Sequence, residues 1–158
     1  SFGSVVYEIL FEDENRNLIL HMKKKFRFYF HYLEIKDASN KKLGFIERRF
    51  HLFRSNYEIR DAYHRVVMNV RGPFFHLPFT DQKFLFKKKN QDVGHVSKEW
   101  RGALREYFTD GDTFHSVIDR TLSVEEKILL FGAVFLIDFV CFEENQGSGG
   151  GGVFDLID

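Results

Sequence analysis

The sequence predicts a mostly β fold, a closed antiparallel β-barrel wrapped around a central hydrophobic C-terminal α-helix. Three observations carry that expectation. Strand-like segments recur about every ten residues, as in a meander closing on itself. Residues 123–142 are apolar on nearly every side of a helix, so the helix needs cover all round. Aromatics make up 17% of the 158 residues, with 20 Phe and only 2 Pro, which supplies bulk for a core and few breakers.

The strand candidates, in order, are 5–11, 18–22, 26–35, 43–53, 56–60, 65–70, 74–79 and 83–87. Segment 26–35 alternates in part, with Phe26, Phe28, Phe30 and Tyr32 on one face. Turn chemistry fills 13–17, 37–41, 54–56, 61–64 and 88–90. An internal repeat is visible: a strand ending Glu34-Ile35-Lys36-Asp37 and another ending Glu58-Ile59-Arg60-Asp61 each reach an Asp that opens a turn.

The helix is expected over 123–142. Ser123 is a good N-cap and Glu126 stands three residues on, the capping-box spacing. Glu125 and Glu126 place negative charge at the positive end of the helix dipole. The apolar run is about 15 residues and Asp138 interrupts it, whereas crossing a bilayer takes roughly 20. Phe131, Phe135, Asp138 and Phe139 are therefore read as a buried helix surface, with Asp138 hydrogen-bonded inside the barrel.

The expected organisation is one domain over 1–146, a flexible glycine linker over 147–152, and a strand over 153–158 that completes the barrel. Read from Asp158 into Ser1, the two ends give VFDLID-SFG-SVVY, a hairpin of the repeated type. That suggests circular permutation at an exposed turn; an appended short peptide is the rival. No signal peptide is expected, since Ser1 opens directly into a strand-like segment.

Net charge is zero but uneven: 21 Lys and Arg against 12 Asp and Glu up to Arg105, then 2 against 11. Lys23, Lys24, Lys25 and Arg27 form one basic cluster; Lys87, Lys88 and Lys89 form another. Such clusters attract anionic headgroups at about 1 kcal/mol per residue, or are simply solvated turns. The single cysteine, Cys141, excludes an intrachain disulfide. The seven histidines lack zinc spacing, and no phosphate loop, nucleophile elbow or catalytic carboxylate pair is present, so the chain does not read as an enzyme.

Residues 94–114 read GHVSKEWRGALREYFTDGDTF, and 132–139 read GAVFLIDF. This pattern resembles the phospholipid scramblase family, with weaker similarity at Gly44-Phe45-Ile46 and Arg71-Gly72-Pro73. The resemblance implies a tubby-like barrel around a helix. It implies association with the cytoplasmic face of a membrane and calcium-stimulated, bidirectional movement of phospholipids between leaflets. The alternatives are a non-transporting module that binds anionic lipid or a protein partner, or an engineered scaffold.

The family's calcium segment would begin at Asp110 and Asp112, with Asp119 as a replacement ligand. Phe114 and His115 depart from that pattern, and Thr121 and Ser123 stand where the family carries aspartates. A turn in which Asp110 and Asp112 cap backbone amides is the alternative. Ser97, Lys98 and Trp100 match a family segment linked to nuclear import, with plain strand as the other reading. No cysteine stands at 26–32, where the family carries acylated cysteines. The expected partner is a phospholipid surface rather than nucleic acid, and a monomer is expected.

Overall fold

Alternating apolar residues lock in phase across adjacent strands and set the architecture. The computed structural model describes residues 5–27, 30–51, 54–74, 82–99 and 113–154. The strands are β1 (Val5–Glu12), β2 (Leu18–Arg27), β3 (Phe30–Asp37), β4 (Lys42–His51), β5 (Arg54–Asp61), β6 (Val66–Phe74), β7 (Gln82–Lys88), β8 (Gln91–Glu99) and β9 (Thr113–Ile118). One helix, α1 (Val124–Phe154), follows them.

The strands form a single sheet in the order β1 to β9, and every neighbouring pair is antiparallel. Among the described residues no ladder joins β9 to β1, which are its two edges. The architecture is therefore a nine-stranded antiparallel sheet with one C-terminal helix. Two boundaries and two strands differ from expectation. Segment 26–35 is split, because Phe26 and Arg27 end β2 and pair back onto His31 and Phe30 of β3. Residues 54–56 belong to β5 rather than to a turn. Strand β9 is additional to the expected segments, and β8 is expected only as the other reading of Ser97 and Lys98. The expected strand over 74–79 lies outside the described residues apart from Phe74.

The inner face is continuous. Leu33 lies opposite Ile46, Ile46 opposite Ile59 and Ile59 opposite Met68, and all four are essentially buried. A second row runs from Tyr57 through Val70 to Phe86. With Leu129, Leu130, Ala133, Leu136, Ile137 and Val140 of α1 these side chains make one core. Burying each large aliphatic or aromatic side chain contributes roughly 1.5–3 kcal/mol.

Three hairpins share one turn. Asp13, Asp37 and Asp61 each accept backbone N–H groups two and four residues on, at 2.8–3.0 Å, through Oδ1. The residue three positions after each Asp (Arg16, Asn40, His64) has positive φ. The same device thus closes β1–β2, β3–β4 and β5–β6. The repeat seen in sequence at Asp37 and Asp61 extends to Asp13, whose preceding strand carries its Glu8-Ile9 pair two residues further from the Asp. Between β7 and β8 the turn residues Lys89 and Asn90 both have positive φ, the mark of a two-residue type I′ turn.

The helix begins as its sequence dictates. Glu126 N–H donates to Ser123 Oγ and Ser123 N–H donates to Glu126 Oε1, both at 3.1 Å. Two glycines set how closely α1 approaches the sheet. A Cβ on Gly132 would stand 2.3 Å from Ile35 Cδ1, and one on Gly44 would stand 2.3 Å from the Arg60 carbonyl oxygen and 2.7 Å from Leu129 Cδ2.

The C-terminal expectation requires correction. The helix runs through the glycine stretch 147–152 to Phe154, so neither a flexible linker there nor a strand at Val153 and Phe154 is observed. Glycine is a poor helix former, but extending a helix already nucleated and packed upstream adds one hydrogen bond per residue. Residues 155–158 lie outside the described set, as do residues 1–4.

Candidate functional site

Strand geometry divides the first lysine cluster between two faces, since successive side chains alternate. Lys24 follows Met22 onto the inner face, where it is 2% exposed with Nζ 4.4 Å from the centre of the Phe139 ring. It is a core residue and not a headgroup contact, which corrects that part of the expectation. Lys23 faces outward and pairs with Glu8 at 3.4 Å. Lys25 and Arg27 lie on β2 opposite Tyr32 and Phe30.

The second cluster is also largely committed. Lys87 pairs with Asp92, and Lys88 Nζ lies 2.6 Å from Glu126 Oε2, tying the end of β7 to the first turn of α1. Lys88 and the Ser123 amide hold the Glu126 carboxyl below its usual range. Lys89 is exposed at the hairpin tip. A cavity of about 600 Å³ opens beside this ion pair, with Leu43, Val67 and Leu129 as its apolar wall.

The helix is not enclosed on every side. Val124, Phe131 and Asp138, seven residues apart, form an exposed stripe; Phe131 is 43% exposed. Phe135 and Phe139 are half-buried. This corrects the expectation of a buried Phe131 and a buried Asp138. All-round apolarity hid the stripe, and only the charge on Asp138 marked it. Phe11 of β1 leans onto this side, with ring centres 5.5 Å from both Phe131 and Phe135. Further along the helix, Cys141 Sγ donates to Gln82 Oε1 of β7 at 3.4 Å. Among the described residues no helix is long and apolar enough to cross a membrane.

The acidic candidates are not brought together. Asp110 and Asp112 lie outside the described residues. Asp119 accepts both the N–H and the hydroxyl of Thr121 at 2.8 Å, and these bonds hold its carboxyl below the usual range. It closes the turn from β9 into α1. Among the described residues no cluster of three metal-ligating side chains occurs. Ser97 and Lys98 lie on β8 opposite Lys83 and Gln82, and Trp100 lies outside the described residues.

The strand register also gathers cations that stand alone in the sequence. Arg49 of β4 lies opposite Asn56, and Asn56 opposite Arg71 of β6. Arg71 in turn faces Leu85 of β7, two residues from Lys83. The signal available in sequence was their phase, out of step with the buried Tyr57, Val70 and Phe84.

The family described as Scramblase matches residues 6–144. Human phospholipid scramblase 1 is 32% identical over 124 residues, covering 74% of this chain and 39% of that protein. Human phospholipid scramblase 2 is 29% identical over 124 residues, covering 72% and 39%. Human phospholipid scramblase 4 is 32% identical over 117 residues, covering 72% and 35%. The chain thus spans about two-fifths of the length of these curated relatives. No solved structure matches it. A match across nearly the whole strand-and-helix unit, together with the motif at 94–114 and 132–139, identifies the chain as a member of the Scramblase family.

Proposed function

We propose that this chain associates with phospholipid membranes and promotes movement of phospholipids between leaflets. The observation that carries the reading is the family match over residues 6–144, with relatives named as phospholipid scramblases. Such movement makes and breaks no covalent bond, so no catalytic residue is assigned. The finer parts of the reading are a cytoplasmic membrane face with a nuclear pool, and a sheet that closes into a barrel around α1. The contacts of α1 with β1 through Phe11 and with β7 through Gln82 support closure. Calcium stimulation rests on Asp110 and Asp112 at alternate positions, since Asp119 is engaged by Thr121.

The test is transbilayer movement of a fluorescent phospholipid in liposomes carrying the protein, read by dithionite quenching with calcium and with chelator. Acceleration over empty liposomes supports the proposal. Binding without acceleration favours a second reading, a module that holds anionic lipid or a protein partner. Two observations favour that alternative: α1 packs into the sheet, and Asp138 interrupts its apolar run.

A further inference from the structure

We infer that the outer face of β4–β7, centred on Arg71 and Lys83, is the surface that meets an anionic lipid bilayer; this deepens the membrane reading above and rests on it. Most acids on the outer face of the described strands are already paired. Glu34 pairs with Lys36 at 3.3 Å. Glu58 receives Arg49 at 3.0 Å and Arg60 at 2.5 Å. Glu47 lies 3.9–4.0 Å from the same two arginines. Glu8 takes Lys23, and Asp92 takes Lys87.

Arg71 and Lys83 are both exposed, and among the described residues no carboxylate pairs with either. The register makes them neighbours. Arg71 faces Leu85, and Lys83 is two residues along β7 on the same face, a diagonal separation of about 7–8 Å. Arg49, 43% exposed, stands two strands from Arg71, about 10 Å away, but its charge is already met by Glu58 and Glu47, so Arg71 and Lys83 carry the surplus. The row continues through His95 to Val117, which is 58% exposed. The cations therefore lie across a sheet face and not in a cleft, with an exposed apolar side chain at one end. Unpaired positive charge on an exposed sheet face, with an apolar margin, complements a layer of anionic headgroups. The lysine runs at 23–25 and 87–89 lack this property, because Lys24 is buried and Lys23, Lys87 and Lys88 are neutralised.

The test is co-sedimentation with vesicles of phosphatidylcholine and phosphatidylserine in equal parts, against pure phosphatidylcholine. Arg71→Gln/Lys83→Gln is expected to weaken binding to the anionic vesicles roughly 30-fold, the factor for two charges at about 1 kcal/mol each. Lys23→Gln/Lys88→Gln alters net charge equally and is expected to weaken binding much less, so the comparison reads position. A melting curve on each variant confirms that the surface changes leave the fold intact.

Equal losses in the two double variants, or unchanged binding in Arg71→Gln/Lys83→Gln, would overturn the assignment. So would a loss confined to duplex DNA, which would make this a nucleic-acid surface. The liposome quenching assay separates this inference from the function on which it rests. Wild-type protein that binds through Arg71 and Lys83 yet moves no lipid would overturn transport and leave the surface standing.

Discussion

Lys24 Nζ stands 4.4 Å from the centre of the Phe139 ring, so a lysine of β2 rests against the aromatic face of α1 within the core. A desolvated cation on an aromatic ring is worth about 2 kcal/mol, and the aliphatic stem adds packing. Lys24→Ala is expected to lower stability by about 1–3 kcal/mol in urea unfolding. The folded variant should keep wild-type affinity for anionic vesicles. A loss of binding with unchanged stability would mean that Lys24 acts at the surface after all.

Gly44→Ala is expected to destabilise the protein by about 1–3 kcal/mol. The added methyl meets the carbonyl oxygen of Arg60, a backbone atom fixed by the ladder, and so cannot be accommodated by a rotamer change. Gly132→Ala should cost less. The new methyl meets the end of the Ile35 side chain, and alanine recovers about 1 kcal/mol of helix propensity. Urea midpoints of the two variants check the order.

Ser123→Ala removes the acceptor for the Glu126 amide and is expected to cost about 1 kcal/mol, seen as a lower Tm. Ser123→Asp keeps an acceptor at the cap and should stay close to wild type.

Acid sensitivity follows from the turn aspartates. Hydrogen bonds to Asp13 from the Asn17 amide and side chain, and to Asp37 from the Ser39 hydroxyl and Lys41 amide, hold both carboxyls below 3.8 in the folded protein. A depressed folded value means that their contribution is fully present above the unfolded value. It is lost as pH falls through the lower folded one. The Tm should therefore drop as pH is taken below about 4. Asp37→Asn keeps a turn acceptor but does not titrate, so its Tm should fall less steeply over the same interval.

If calcium acts, it acts without Asp119. Asp119→Asn is expected to lower stability while leaving the calcium response of the liposome assay unchanged, because its carboxylate is already held by Thr121. Asp110→Ala/Asp112→Ala should remove that response. A calcium response lost in Asp119→Asn alone would reverse the assignment.

Local signals were legible in the sequence where one residue type has one local job. Ser123 and Glu126 announce the helix start, and Asp37 and Asp61 announce their turns. The fate of a side chain that depends on strand phase or helix rotation was harder to see. A run of three lysines has no phase of its own, and it is Leu20 and Met22 that send Lys24 inward. An apolar stretch likewise does not say which of Phe131 and Ala133 faces out. The outer cations Arg49, Arg71 and Lys83 stand far apart in sequence and become one surface only through the pairing of four strands.

The strictly consecutive order of the strands bears on how the protein is made. Each strand finds its partner one hairpin away, so the sheet can zip up with little loop-closure entropy as the chain emerges. The helix that covers the inner face follows all nine strands. Until it is synthesised, the inner face carrying Met22, Ile35, Ile46 and Met68 has no helix over it. The nascent sheet is therefore the stage most exposed to aggregation, and folding yield should depend on how soon α1 docks after translation.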